Sequence, residues 1–409
     1  MEVPKENAKT EIHGTFRLVN IFVSINGIPL INIPENVRGR LKMYISLCLA
    51  VSFTFFNMLA QYAYVAKEVA NAKTIIDFVG SNFHLAGYSM TSLCKLLSVL
   101  YKRETVRQLI VELADIWPVS LKDEEAAAIK RECLSSLKLK QNLYTFFNFV
   151  GMCFYALTPI VVVIYQKIQG VPPEVGYIFQ SVYPFDKTQP FYHAIAYTFE
   201  ACAGNITVFT IISADLLFVT MASHISMLLR LLQVKIRNLI AEVKSHKTEV
   251  YPLIDCYPEI VDVVKVHQRL IKYANDLEDA FSAVNLINVV MSSVNICLVM
   301  FNIVFLEPWM DLSSKFYLGA VLTQMGMLCW YADDVYRASE AVSDAVYESR
   351  WYMANTRCRR ALLVVLQRSQ KPLYFTTMKF SNITMATYSS ILTSAYSYFT
   401  LIYSSYSAD

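Results

Sequence analysis

Residues 380–408 run for 29 positions without an Asp, Glu, Lys or Arg. A helix needs about 20 largely apolar residues to cross a bilayer, so the run is long enough for one span. Its composition does not suit a helix ringed by lipid. Ten of the 25 residues from 380 to 404 are Ser or Thr. Hydroxyls at membrane depth bond helix to helix or line water. A chain that carries such a helix is a candidate channel.

Six further windows are comparably poor in charge: 43–66, 75–100, 143–165, 191–229, 281–306 and 316–332. The second holds Asp77 and Lys95 near its ends. The fourth is longer than a bilayer requires and includes Glu200 and Asp215. The chain is 17% charged with a mean hydropathy of +0.37. Soluble domains carry about 25% charged residues, so the expected fold is all-α, a polytopic membrane protein of seven helices. No apolar core of signal-peptide length is evident in the first 40 residues.

Arg and Lys give the direction. Thirty of the 36 lie in residues 1–42, 101–141, 223–280 and 333–379, and only five in the alternating loops. Basic loops stay in the cytoplasm, which places the N-terminus inside and the C-terminus outside. That is opposite to G-protein-coupled receptors, whose Asp-Arg-Tyr and Asn-Pro-x-x-Tyr marks are also missing. Segments 104–117, 123–140, 239–243 and 260–277 show helical periodicity. They extend the spans into a cytoplasmic anchor region. Residues 357–370 form one more helix there, stopped by Pro372. The implied organisation is a cytoplasmic segment 1–42, a pocket-bearing bundle 43–349, an anchor helix 350–379 and a last span with a short tail 380–409.

The six histidines are scattered, and the nine cysteines show no metal-site spacing. Neither an enzyme, a metal, a cofactor nor a nucleic-acid partner is indicated. A transporter would be expected to show internal repeats, and none is visible.

Four short motifs carry a resemblance. Lys371-Pro372-Leu373 leads into the last span, which holds Ser394-Ala395-Tyr396-Ser397-Tyr398-Phe399-Thr400-Leu401. Gly27-Ile28-Pro29-Leu30 precedes the first span, and Tyr183-Pro184-Phe185-Asp186 the fourth. With the span count and direction, these residues resemble the insect odorant receptors. The Thr-Tyr…Gln-Phe ending of gustatory receptors is absent. The long insert that marks the odorant co-receptor is missing too, so the chain looks like an odour-tuning subunit. The resemblance implies a ligand-gated nonselective cation channel in the plasma membrane of olfactory sensory neurons. It implies a tetramer mixed with the co-receptor, one pore lined by the last spans, and contact with membrane lipid. It also implies a volatile ligand in the outer half of spans two, three, four and six. A metabotropic receptor or a transporter is the alternative.

Carried over residue by residue, the family's hydrophobic gate falls on Leu401. From there one helical face holds Thr387, Ser390, Ser394 and Ser405, as pore lining or as helix glue. Aromatic and small residues offer pocket walls: Phe83, Gly87 and Tyr88; Gly151, Phe154, Tyr155 and Thr158. Spans four and six add Gly204, Thr207 and Val208, and Tyr317, Ala320 and Gln324. Each competes with plain core packing. No charged cage appears, so the expected ligand is small and apolar. Glu200 is expected near the outer interface, Asp215 near the inner boundary, and Lys95 snorkelling to the cytoplasmic face, all with structural roles. Pro172, Pro173, Pro184 and Pro190 stiffen the loop before span four. Its Tyr177, Phe179, Tyr183 and Phe185 form a lid over the pocket or a simple solvent-facing connection. Arg357, Arg359 and Arg360 sit on the inner side as a positive-inside anchor, with lipid headgroups or acidic residues such as Asp333 and Asp334 as the alternative partners.

Overall fold

The computed structural model describes residues 2–31, 33–71, 83–121, 123–170, 176–186, 189–245, 254–305 and 311–407. The described chain is helical, with only two isolated β-bridges. Two short helices, α1 (Glu2–Thr15) and α2 (Arg17–Ile25), precede α3 (Val37–Asn71). Then come α4 (Phe83–Tyr101), α5 (Arg103–Ile116), α6 (Glu124–Ile168) and α7 (Pro190–Ser245). The chain continues through α8 (Tyr257–Phe305), α9 (Asp311–Glu348), α10 (Thr356–Ser369) and α11 (Met385–Ser407).

The seven expected spans fall on α3, α4, α6, α7, α8, α9 and α11. Four of these, α3, α6, α7 and α8, are long and apolar enough to cross a membrane by length and composition. Lys95 in α4, the charged flank of α9 and the hydroxyls of α11 lower the hydropathy of the other three. The helices outrun the windows that revealed them. The 123–140 helix and span three are one element, α6, and the 260–277 helix merges with span five in α8. At 1.5 Å per residue, the 56 residues of α7 rise about 84 Å, far beyond a bilayer of ~30 Å. The proposed start of span two at Ile75 lies outside the described residues, as do Asp77, Pro172 and Pro173.

α7 is the axis of the bundle, touching α2, α3, α4, α6, α8 and α9. Of its most apolar stretch, 83% is buried, against 17% for α3 and α6. The apolar faces of α3 and α6 therefore look outward, as a lipid-facing surface must. α11 leans mainly on α8 and α9.

Local chemistry sets the helix ends. Asp123 caps α6 by accepting from the Glu125 N–H at 2.9 Å, and Asn355 caps α10 through the Cys358 N–H at 2.8 Å. Pro159 sits inside α6 without breaking it. The Tyr197 hydroxyl from α7 donates to the nearby carbonyl of Ala156, the kind of substitute bond that lets proline persist in a membrane helix. Gly27 turns the chain from α2 into α3 at φ 75°, and a Cβ there would strike the backbone of Leu47.

The sequence analysis assigned no helix before residue 43, yet residues 2–25 form α1 and α2. Ala8, Ile12, Phe16, Val19 and Val23 recur at helical spacing and are all buried. Phe16 and Trp117 both lie edge-on to His224, at 5.7 and 5.0 Å between ring centres. Glu11 accepts from Trp117 Nε1 at 2.7 Å and from Lys130 Nζ at 2.6 Å. This locks α1 against α5 and α6.

Candidate ligand-binding site

A cavity of about 60 Å³ lies between α3, α4, α6, α7 and α9, under the loop 176–186. Of the expected pocket residues, Tyr88, Gly151, Tyr155, Gly204, Thr207, Val208, Tyr317 and Ala320 line it. The Tyr317 ring is the hub. Tyr88 meets it edge-on at 5.3 Å, Tyr155 at 6.3 Å and His84 at 5.4 Å. Edge-to-face rings build a rigid apolar wall.

Five expected residues lie elsewhere. Phe154 stacks on Phe316 at 4.4 Å in the contact between α6 and α9. The Thr158 hydroxyl donates to the Phe154 carbonyl at 2.6 Å and lies 3.2 Å from Ser313 Oγ. Gly87 faces α8, where an added Cβ would sit 2.8 Å from Met291 Cε. Phe83 packs with Leu298 and Phe301, and buried Gln324 is not part of the wall. The common reason is rotation. Successive helical residues point about 100° apart, so Tyr155 faces inward while Phe154 cannot.

The sequence reading gave span one no share in the pocket, yet α3 supplies its polar stripe. Thr54, Asn57 and Gln61 are buried at spacings of three and four. Asn57 Nδ2 donates to Ser89 Oγ at 3.1 Å, and Ser89 Oγ donates to Gln61 Oε1 at 2.7 Å. Two amides spaced a helical turn apart in an apolar span were the available signal, because polar groups at that depth face the bundle interior. Asn148 and Met152 of α6, with Leu85 of α4, complete the wall.

The loop closes the cavity through one residue. Glu200 is fully buried. Its Oε2 accepts from the backbone N–H groups of Ile178 and Phe179 at 3.0 and 3.1 Å, and its Oε1 from the Tyr183 hydroxyl at 2.9 Å. Pinned in this way, Phe179 lines the cavity against Gly204. The other proposed lid rings turn aside: Tyr177 toward His193 at 4.6 Å, and Tyr183 onto Phe185 at 5.3 Å.

Further along the bundle, a charge pair replaces the snorkelling expected of Lys95. Lys95 is fully buried, and its Nζ lies 2.7 Å from Asp215 Oδ1. Tyr144 donates to Asp215 Oδ2 at 2.8 Å, and Asn288 Nδ2 lies 3.5 Å from Oδ1. α4 is an interior helix, so a partner on α7 is nearer than any headgroup. Asp215 belongs to this network. The acidic partners expected for the arginine group are taken by other arginines. Asp333 pairs with Arg337 at 2.7 Å and Asp334 with Arg230, while Arg357 lies over the Tyr257 ring at 3.7 Å.

On α11, Ile391 and Ala395 are buried on the side of α8 and α9, as is Ile383 just before the helix. The opposite stripe, Ser390, Ser394, Ser397 and Leu401, is exposed. Thr387 departs from it, since its hydroxyl donates to the Asn382 carbonyl at 2.7 Å near the helix start. The side chain of Ser405 lies outside the described residues.

A multi-pass helical membrane protein with an aromatic-walled cavity between its helices has the architecture of a small-molecule receptor. The chain belongs to the 7tm odorant receptor family, whose model matches residues 75–396. It is a receptor and not an enzyme. It is 26% identical over 252 residues to Odorant receptor 22c of Drosophila melanogaster, covering 61% of this chain and 62% of that protein. It is 25% identical to Odorant receptor 85b of the same fly over 95% of this chain and 98% of that one. The fold matches the insect olfactory receptor OR5 from Machilis hrabei in complex with eugenol, with a TM-score of 0.80 at 16% identity. That match covers 97% of this chain and 99% of the other.

Proposed function

We propose that the protein is an odour-tuning subunit of a ligand-gated, nonselective cation channel, binding a small neutral volatile in the cavity under Phe179. The carrying observation is the cavity itself, walled mainly by apolar and aromatic side chains without an Asp, Glu, Lys or Arg. Burial of apolar ligand surface, about 25 cal/mol per Å² before ordering costs, supplies the affinity. A protein of the same fold holds eugenol, which supports a ligand of this size and chemistry.

The exposed stripe of α11 supports the channel. In an assembly around a central axis, Ser390, Ser394 and Ser397 would face water, and Leu401 would form a constriction that gates by dewetting. The co-receptor is the proposed partner in a tetramer. The membrane is the plasma membrane of olfactory sensory neurons, with the N-terminus inside on the strength of the Arg and Lys bias.

A route joins cavity and pore helix. The Tyr317 hydroxyl donates to the His84 carbonyl at 3.4 Å, and Asn302 Nδ2 donates to His84 Nδ1 at 3.2 Å. The neighbouring Phe301, with Leu298, packs against Phe399 of α11, two residues before Leu401. A ligand that moves Tyr317 thereby pushes on the pore helix.

Co-expression with the co-receptor, recording current while G-protein signalling is blocked, tests the reading. Odour-evoked current that persists supports a channel, and its loss supports a metabotropic receptor. Leu401→Ala in the same cells should raise resting conductance, and unchanged gating in a well-expressed mutant would remove Leu401 from the pore.

A further inference from the structure

We propose that the cavity selects neutral volatiles that carry a hydroxyl group, and that Asn57 and Thr207 read that group. The inference rests on the odorant-site reading above and sharpens it to a ligand class.

Most of the wall is apolar, so the few polar atoms in it carry the selectivity. Asn57 is 1% exposed and Thr207 3%. Ser89 already gives its proton to Gln61 and receives one from Asn57 Nδ2. Asn57 Oδ1 is thereby left buried with no hydrogen-bond partner among the described residues. On α7, the Thr207 carbonyl accepts from Ser92 at 3.3 Å, but its hydroxyl oxygen has no partner either. Buried polar atoms are almost always satisfied, and two that line one cavity point to what enters it.

The chemistry of the two atoms restricts the ligand. An amide oxygen only accepts, so Asn57 requires a donor. The Thr207 hydroxyl donates or accepts. An alcohol provides the donor for Asn57 and lone pairs for Thr207. Ethers, ketones and esters accept only, so they leave Asn57 starved. Hydrocarbons satisfy neither atom. Carboxylates and ammonium ions bring a charge into a wall that has no counter-ion. Water satisfies the empty site, and a ligand that displaces it without replacing its bonds loses affinity.

The test is a matched set on one carbon skeleton (alcohol, methyl ether, ketone and alkane) applied to the receptor co-expressed with the co-receptor, reading half-maximal concentration. The alcohol should be about tenfold more potent than its methyl ether, the size of effect one satisfied buried acceptor produces. Asn57→Leu should abolish that preference while responses to the ether and alkane persist. Thr207→Val, close in shape, should weaken the alcohol and the ketone together. Binding to purified protein, read as a ligand-induced rise in melting temperature, should give the same order if a variant assembles poorly. Equal potency of alcohol and ether, or a preference that survives Asn57→Leu, overturns this inference alone. Absence of any response across the set overturns the odorant-site reading and this inference with it.

Discussion

The ring of Phe179 lies against Gly204 so closely that a Cβ on residue 204 would stand 3.1 Å from its Cζ. A loop and a helix meet there with no room for one methyl group. Gly204→Ala should displace Phe179 and reshape the cavity, shifting ligand potency by about tenfold, within the 1–3 kcal/mol of an overpacked site. Phe179→Leu in the same background should restore part of it. Dose–response curves on the single and double variants check the pair.

Glu200 holds that loop with three accepted bonds. Hydrogen bonds to a charged group contribute about 1.5–3 kcal/mol each, and those to a neutral group about 1. Glu200→Gln should therefore lower the melting temperature of the purified protein and weaken ligand response. Tyr183→Phe should do so more mildly, because it removes one bond and keeps the carboxylate on the Ile178 and Phe179 backbone. Equal effects of the two variants would mean that Tyr183, rather than the backbone pair, carries the loop.

The Lys95–Asp215 pair is buried on both sides, at 0% and 10% side-chain exposure. Removing one partner strands a charge at a cost of about 3–5 kcal/mol, whereas replacing both with apolar groups is often neutral. Lys95→Met and Asp215→Leu should each reduce surface expression sharply, and the double variant should recover it. A double variant as poor as the singles would show that Tyr144 and Asn288 need the carboxylate for themselves.

Asn302 sits between the cavity and α11, touching His84 and not the cavity wall. Asn302→Leu should leave ligand-induced thermal stabilisation intact while reducing the maximal current at saturating ligand. A fall in both together would place Asn302 in binding rather than in coupling.

The turn into α11 gives a pH prediction. Glu278 of α8 accepts from the Thr376 N–H at 2.9 Å and from its hydroxyl. Burial pushes its carboxyl above the ordinary value of 4.5, although the Thr376 bonds pull the other way. A carboxyl raised in the folded state binds its proton more tightly there than in the unfolded chain. Its contribution to stability is therefore greatest below pH 4.5 and falls as pH rises through the raised folded value. Melting temperature against pH should show this decline, and Glu278→Gln should flatten it.

The pocket was legible where one helix face told the whole story. Tyr155, Gly151, Thr207 and Val208 were named because small and aromatic residues in an apolar span stand out, and all four line the cavity. Phe154, one position away, stacks on Phe316 instead of lining the cavity, because the sequence shows no rotation about the helix axis. Asn57 and Gln61 went unnoticed although their spacing of one helical turn marks an inward face of α3, because which helices meet that face depends on the packing and not on α3 itself. Ser390, Ser394 and Leu401 were placed on one face by spacing alone, and that face is the one α8 and α9 leave open. Thr387 was drawn off it by a local bond to Asn382, which competes with any helix-wide pattern.

By itself the sequence determined the class of molecule. Charge-free runs of bilayer length dictate helices, because a backbone in lipid must satisfy its own hydrogen bonds. The one-sided distribution of Arg and Lys gives the expected direction, and short C-terminal motifs point to the family. Only the tertiary structure decided the partners of the buried polar groups. Lys95 and Asp215 are 120 residues apart, Glu200 and Phe179 belong to different elements, and Asn57 and Thr207 line one cavity from α3 and α7. A polar side chain inside a membrane must find a partner, and which one it finds depends on the packing of helices that the local sequence does not specify.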